Sequence, residues 1–331
     1  MMRIAINGFG RIGRLALRAA LMKHKKEIEV VAINTSGNMD TSGWAQLFEY
    51  DSTYRKYKGK VSSDKNNLII DGITIPVLAE PDPKKLPWGK LGVDLVLECT
   101  GEFRRPEQAE EHLQAGAKKV LVSAPPKGGS LPIYIVGVNA DKKGDDKIFS
   151  NASCTTNSVV PVAQVMLKEF GIVKAAMTTI HAYTSDQRLL DNSHKDLRRA
   201  RAAGVNIIPT STGAADAVNV VLPELTGIFD GMAIRVPVVT GSLTDFTFLV
   251  KRKVTREEVN QALVKASQTE LKNILGVTNK PIVSSDVIGC EYSSLVDLEM
   301  TKVIDGDLVK ILAWYDNEWG YVLRMLELIL Q

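Results

Sequence analysis

Residues 3–13 read RIAINGFGRIG, an apolar run that ends in glycines spaced G-x-G-x-x-G at Gly8, Gly10 and Gly13. Arg3 to Asn7 fits a short strand that stops at a tight turn. Arg11 to Lys26 then reads as a helix with Leu15, Ala19 and Met22 on one face. In such a strand–turn–helix the first glycine makes the turn, the second lets the backbone approach a pyrophosphate, and the third lets helix and strand pack closely. The helix N-terminus offers unpaired N–H groups to the anion. The glycine pattern alone is a weak signal. Here a second strand, Ile28 to Asn34, follows at the right distance, and that context points to a dinucleotide site.

Outward from that turn, the first half keeps alternating. Val93 to Cys99 is an unbroken apolar run, Pro106 to Ala115 reads as a helix that stops at Gly116, and Lys119 to Ser123 reads as a strand. Continuous apolar strands between helices predict an α/β domain with a parallel sheet covered on both faces. The second half differs. A helix opens at Ser153-Cys154 and runs to about Phe170. Strands are predicted over Ala175 to Thr184, Met232 to Val239, Ser242 to Lys251 and Asp307 to Tyr315. Thr255-Arg256-Glu257-Glu258 is a capping box before a further helix, and Glu318 to Leu330 is a terminal amphipathic helix. This pattern predicts an α+β domain with a mixed or antiparallel sheet, and a boundary near residue 150.

The chain has 331 residues, with 41 Lys+Arg against 38 Asp+Glu. That length favours two domains, and the small positive charge gives no argument for nucleic acid or a membrane. No apolar run of about 18 residues is present, so no membrane span is expected. The start of the chain is better read as a first strand than as a signal peptide. Three widely spaced cysteines, Cys99, Cys154 and Cys290, suggest neither a disulfide framework nor a zinc site, and a reducing cytoplasm is the expected setting.

Cys154 stands at the start of a helix in SNASCTTN (150–157), where the helix end favours thiolate. Cys99 and Cys290 are assigned the commoner fate of a small buried hydrophobe. His181 ends a β-like run and is the candidate base. His24, His112 and His194 sit in charged contexts and read as surface or local hydrogen-bonding residues. Anion-binding material follows: Arg198-Arg199-Ala200-Arg201 in a polar loop, Thr210-Ser211-Thr212-Gly213, and Arg235 inside an apolar strand, where an inward guanidinium needs an anionic partner.

With these residues assembled, the chain resembles the phosphorylating glyceraldehyde-3-phosphate dehydrogenases. The resemblance runs along almost the whole length. It is carried by INGFGRIGR at the start, SNASCTTN at 150–157, HAYTSDQ at 181–187, HKDLRRARAA at 194–203 and WYDNEWGY at 314–321. It implies a homotetramer. Residues 1–150, with the terminal helix 318–331, would form a Rossmann-type domain, and residues 151–317 the catalytic domain. Cys154 would be the nucleophile and His181 its base. Thr184 and Arg235, with Arg199, would hold the phosphate of glyceraldehyde 3-phosphate. Ser153, Thr155, Thr212 and Gly213 would hold inorganic phosphate. Asn7, Gly8, Phe9, Gly10, Arg11, Ile12 and Gly13 would contact the cofactor at the glycine turn. Asn34, Thr35 and Ser36 would do so at its ribose end. Thr100, Ser123, Ser193 and Tyr321 would contribute further contacts, and Asn317 would hold the nicotinamide amide.

The chemistry implied is thiolate attack on the aldehyde, hydride loss to the nicotinamide as His181 takes the hydroxyl proton, and phosphorolysis of the thioester. Relatives with an erythrose-4-phosphate dehydrogenase activity, or without turnover, are the alternatives. The chain departs from the common pattern at Ser158, where many members have a second cysteine. It departs again at Asp216, in place of a usual Lys, and at Val238-Val239-Thr240-Gly241, in place of a more typical Pro-Asn-Val segment.

The stretch VVAINTSGN (30–38) bears on the form of the cofactor. A dinucleotide site usually has an acid about 20 residues after the glycines. NAD-specific relatives have Asp where this chain has Thr35. Thr35 removes repulsion toward a 2′-phosphate, and hydroxyls of Thr35 and Ser36 can donate to one. Asn192-Ser193 replaces a Leu-Pro pair common in NAD-type relatives. Pro81 stands where many relatives have an Arg near the adenosine, so one obvious cation is absent. These features together predict dual NAD and NADP use, leaning to NADP.

Overall fold

The computed structural model describes residues 1–128 and 131–331. The chain divides into two units. One comprises Met1–Tyr134, Lys142–Ala152 and Met325–Gln331, the other Ile135–Asp141 and Ser153–Arg324.

The first unit is built as β1 (Met2–Asn7), α1 (Arg11–Lys23), β2 (Ile28–Asn34), α2 (Thr41–Glu49), β3 (Val61–Ser63), β4 (Asn67–Ile70), β5 (Ile73–Leu78), β6 (Leu95–Glu98), α3 (Pro106–Gln114), β7 (Lys119–Val122) and β8 (Ile148–Ser150). One sheet holds all eight strands in the order β3-β4-β5-β2-β1-β6-β7-β8. From β5 to β8 every pairing is parallel, with β1 central between β2 and β6. This is the Rossmann-type arrangement. All of β6 is buried. Around it Ala5, Ala32, Trp88, Val93, Val96 and Val120 form a core cluster that is closed to solvent. Full burial of each large apolar side chain contributes about 1.5–3 kcal/mol, and that demand explains why the central strands are apolar throughout. The parallel expectation needs one correction. At the edge, β3, β4 and β5 form an antiparallel meander, because short turns at 64–66 and 71–72 leave no length for crossovers. Helix α1 also stops at Lys23, earlier than expected, where Glu27 N–H and Ile28 N–H both turn back to the His24 carbonyl.

The second unit contains α4 (Cys154–Phe170), β9 (Ile172–Ala182), β10 (Ile208–Thr210), α5 (Ala214–Val221), β11 (Phe229–Val236), β12 (Ser242–Val250), α6 (Arg256–Gln268), β13 (Leu275–Thr278), β14 (Ser294–Ile304) and β15 (Leu308–Tyr315). Helix α7 (Trp319–Leu330) begins in this unit and ends in the first. The strand order is β10-β11-β9-β12-β15-β14-β13. Pairs β9–β11 and β13–β14 are parallel and the others antiparallel, so the sheet is mixed. Along β12 and β15 buried and half-buried residues alternate strictly, as a sheet with one face against helices requires. Helices α4, α5 and α6 cover it. Strand β14 has no counterpart in the sequence reading, since Asp297 and Glu299 interrupt its apolar pattern and its register shifts between Asp297 and Lys302. Among the described residues no helix is long and apolar enough to cross a membrane.

Candidate active site

In the first unit a cleft of about 440 Å³ opens over the glycine turn. It brings Asn7, Gly8, Phe9 and Gly10 together with Asn34, Thr35 and Ser36, although β2 ends far along the chain from the turn. The glycines divide their work as the spacing predicts. Gly8 has φ +94°, and a Cβ there would lie 2.7 Å from Thr100 N. A Cβ on Gly13 would overlap the Gly8 carbonyl oxygen, so this residue sets the approach of α1 to β1. A Cβ on Gly10 meets nothing within 4 Å. No side chain caps α1 and no acid lies in its first turn, which leaves the positive end of the helix uncompensated beside the cleft. An open space at Gly10 next to that helix end fits a pyrophosphate. Phe9 is buried and packs edge-on against Trp44. Arg11 is engaged with Asp51 at 2.6 Å. Arg11, Ile12, Gly13 and Ser123 do not line the cleft.

Thr35 is only 6% exposed, and its hydroxyl donates to the Leu78 carbonyl at 3.1 Å. That hydrogen is therefore committed within the fold, and only the exposed Ser36 keeps a hydroxyl directed to solvent. The lining contains the carboxylates Glu80 and Glu102 but no Lys or Arg. Nearby Lys84 and Lys85 are paired with Glu111 and Asp82.

Beneath the cleft lies a buried network around His112, which the sequence reading took for a surface or local hydrogen-bonding residue; burial excludes the first of these. His112 is fully buried. Trp88 Nε1–H donates to His112 Nδ1 at 3.0 Å, so the imidazole proton sits on Nε2, facing Glu98 at 3.2 Å. Glu98 also accepts from Asn7 Nδ2 at 2.5 Å, from Thr100 N–H at 2.7 Å and from the Thr100 hydroxyl. Asn7 and Thr100 thus spend their side-chain donors on Glu98. Asn34 ties the same turn to the neighbouring loop through Asn7 Oδ1 and the Glu80 backbone. Ser123 donates to the Glu98 carbonyl at 2.9 Å.

In the second unit Cys154 is the first residue of α4, and Ser153 is the N-cap, accepting from Thr156 N–H at 3.0 Å. Cys154 Sγ lies 3.4 Å from His181 Nε2 at the end of β9. His181 Nδ1 lies 2.6 Å from the Ala182 carbonyl, which fixes the proton on Nδ1 and leaves the Nε2 lone pair facing the thiol. The expectation of a resting thiolate is corrected here. Burial pushes the Cys154 thiol up to about 11, outweighing Arg235 and the helix start. Burial, reinforced by Arg235, pushes His181 down to about 3. At rest the pair is a neutral thiol and a neutral imidazole.

Two guanidinium groups surround that pair. Arg235, in β11 beside β9, donates to the Ala182 carbonyl and to the Thr184 hydroxyl, each at 3.2 Å, and its buried Nε has no partner among the described residues. Its pKa is lowered by burial and by the Arg199 charge. Arg199 is held by Asp186 at 2.5 Å, Asp196 at 3.5 Å, Thr210 Oγ1 and the Ser211 carbonyl. Thr155 turns inward, with its hydroxyl 3.0 Å from Tyr315 OH, so it offers its backbone rather than its side chain to a ligand. Thr212 accepts from Ala214 N–H beside the exposed Gly213 at the start of α5. Ser193 is exposed and takes Arg188 Nε on its carbonyl.

Tyr315 and Ser242 had no assigned role in the sequence. Tyr315 OH bridges Thr155 on α4 and Thr179 on β9, at 3.0 and 2.8 Å, and so ties the thiol's helix to the imidazole's strand. Ser242 donates to Asn317 Oδ1 at 2.9 Å. Both occupy inward positions of alternating strands, and a polar residue at such a position is the signal that could have found them. Tyr321 is buried on α7.

Two family models match the chain: "Glyceraldehyde 3-phosphate dehydrogenase, NAD binding domain" over residues 2–106 and "Glyceraldehyde 3-phosphate dehydrogenase, C-terminal domain" over residues 153–317. The chain is 56% identical to a glyceraldehyde-3-phosphate dehydrogenase of Thermotoga maritima, with 100% of each chain covered. It is 51% identical to that of Zymomonas mobilis, covering 98% of this chain and 96% of the relative. With that of Streptomyces coelicolor it shares 52% identity, over 98% and 97% of the two chains. Matches of this length and identity, in a chain whose one unit carries the glycine turn and whose other carries the thiol–imidazole pair, place it in the glyceraldehyde-3-phosphate dehydrogenase family.

Proposed function

We propose that the chain converts glyceraldehyde 3-phosphate and inorganic phosphate reversibly to 1,3-bisphosphoglycerate through a thioester on Cys154. The observation that carries this reading is the 3.4 Å approach of Cys154 Sγ to His181 Nε2 beside the partly unpartnered Arg235 guanidinium. A neutral pair suits a step in which charge forms only on attack. The Cys154 proton passes to His181 Nε2 as sulfur adds to the aldehyde carbon, and His181 returns it to the new alkoxide oxygen, giving a neutral hemithioacetal and a free Nε2. His181 Nε2 then accepts the hydroxyl proton as the carbonyl re-forms in the thioester. The Ala182 carbonyl stabilises the imidazolium through Nδ1–H. A bound nicotinamide dinucleotide supplies the hydride acceptor. Arg235 and Thr184 hold the substrate phosphate. The backbone at Cys154–Thr155, with Ser153, Thr212 and Gly213, receives the attacking phosphate. Arg199 serves either anion only by exchanging it for Asp186.

For the cofactor, residues 7–13 and 34–36 would hold the dinucleotide, with Asn317 on its nicotinamide amide. We retain use of both NAD and NADP. Thr35 in place of an acid supports tolerance of a 2′-phosphate. The committed Thr35 hydroxyl, Glu80 and the absence of a lining cation weigh against the expected lean to NADP. Tetramer formation is supported by exposed Leu189, Leu190, Leu197, Val205 and Ile207 on the segment after His181, an apolar surface that a monomer would leave in water. A cytoplasmic setting remains part of this proposal.

Initial rates with and without inorganic phosphate test the reaction. Turnover should require phosphate, or arsenate in its place, and vanish in Cys154→Ser. Phosphate-independent release of a free acid would refute phosphorolysis. Comparison of kcat/KM for the two cofactors tests dual use, and a preference of a hundredfold or more for NAD would refute it.

A further inference from the structure

Asn317 is 6% exposed and precedes α7. Its Oδ1 accepts from Gly241 N–H at 3.1 Å and from the Ser242 hydroxyl at 2.9 Å. Ser242 Oγ itself accepts from Ala182 N–H at 3.1 Å, and Asn317 Oδ1 is the acceptor for its own hydrogen. A primary amide has a carbonyl end and an NH2 end of nearly equal size, and sterics alone choose poorly between the two orientations. Hydrogen-bond polarity chooses here. Both groups that meet the inner end of the amide are donors, so the oxygen faces them. A flipped amide would set NH2 against the Gly241 N–H and take from the buried Ser242 hydroxyl its acceptor, which is unfavourable. Asn317 Nδ2 makes no hydrogen bond to any described residue and points away from the clamp.

Gly241 is required for this geometry. Its φ is +98°, and a Cβ there would lie 2.9 Å from the Ser284 carbonyl carbon and closer still to its oxygen. Only glycine brings its N–H to Asn317 along this path, and the Val238-Val239-Thr240-Gly241 segment finds a function in it. Ser242 is fully buried. The same hydroxyl holds the peptide N–H of Ala182, whose carbonyl accepts the Nδ1 proton of His181.

We propose that Ser242 and Gly241 form a polarity clamp that fixes Asn317 Nδ2 as a donor for the carboxamide oxygen of the nicotinamide. Ser242 is then a positioning residue that links the orientation of that amide to the strand carrying the base. The proposal rests on the reading of Asn317 as the nicotinamide contact. The loss of the Ser242 hydroxyl leaves Asn317 with one donor, frees the amide to turn, and weakens recognition of the nicotinamide end alone.

The test is calorimetric binding of NAD and of ADP-ribose, which lacks the nicotinamide, to the full chain and its variants. Ser242→Ala should weaken NAD by about fivefold, the value of one hydrogen bond of average strength, with ADP-ribose unchanged. Asn317→Ala should weaken NAD in the same selective way. Ser242→Ala introduced into Asn317→Ala should add no further loss, and Ser242→Thr, which keeps the hydroxyl, should restore most of the affinity. Unchanged NAD affinity in Ser242→Ala, with a loss in Asn317→Ala, would overturn the clamp and leave the Asn317 contact standing. Unchanged NAD affinity in Asn317→Ala would overturn the underlying contact. Additive losses, or equal losses for NAD and ADP-ribose, would show that Ser242 acts on the fold at large and would overturn the clamp.

Discussion

Replacing Gly10 by alanine should separate folding from cofactor binding. Gly10 has φ −70° and ψ −157°, an extended conformation open to any residue, and a Cβ there meets nothing within 4 Å. Alanine restricts the unfolded chain and gains about 0.4–1 kcal/mol. Its poorer N-cap preference relative to glycine takes back a similar amount. The net change in stability should lie within about 1 kcal/mol, a shift of only a few degrees in Tm. The same methyl occupies the space into which a pyrophosphate would descend. Displacing the phosphate from one charge-assisted hydrogen bond at the start of α1 costs about 1.5–3 kcal/mol, or roughly 10- to 150-fold in Kd. Gly13→Ala should behave in the opposite way. Its Cβ overlaps a backbone carbonyl and sits 3.1 Å from Ile6 Cγ2, and neither neighbour can swing aside. Overpacking of that kind costs about 1–3 kcal/mol or more. Thermal melts of the ligand-free chains and calorimetric titration with NAD measure both quantities. Wild-type NAD affinity in Gly10→Ala would refute the placement of the phosphate at this turn. A collapse of its Tm would refute the open space.

Burial of the thiol predicts that alkylation of Cys154 by iodoacetamide, without cofactor or substrate, climbs with pH toward about 11; a plateau near pH 6 would show a resting thiolate instead. The depressed folded-state pKa of His181 contributes stability that is present above its unfolded value of 6.5 and is lost as pH falls toward about 3. Acid titration of stability should therefore be shallower in His181→Gln over that window, and equal slopes would contradict the burial argument. Glu98→Gln sets its NH2 group either against the Thr100 donors on Oε1 or against Asn7 and His112 on Oε2, and should destabilise the chain by about 2–4 kcal/mol in a urea titration. Thr35→Asp should lower kcat/KM with NADP by at least about tenfold relative to NAD through repulsion of the 2′-phosphate; an unchanged ratio would place that phosphate away from residue 35.

Local signals in the sequence carried the fold a long way. The glycine turn, strand β2 over Ile28–Asn34 and helix α4 from Cys154 to Phe170 lie where periodicity and capping chemistry place them. Strand β14 escaped because acids interrupt its apolar alternation, and the β3–β5 meander because its strands are short. Its partners lend each of these strands the stability that its own composition lacks. Within the candidate site, Cys154 and His181 were legible from their segments, and the structure brings them into contact across 27 positions. Tyr315, Ser242 and Glu98 were not legible as site residues. Each acts through a hydrogen bond to a residue from a distant segment.

The strand–turn–helix, the cysteine at a helix start and the inventory of hydroxyls and arginines are legible in the order of residues, because each depends on neighbours within a few positions. The tertiary structure alone decided the charge and direction of those groups. It made the Cys154–His181 pair neutral, buried His112 against Glu98, committed the Thr35 hydrogen to Leu78 and turned the Asn317 amide. Desolvation and hydrogen-bond polarity depend on which distant segments meet, and that meeting is a property of the packed chain.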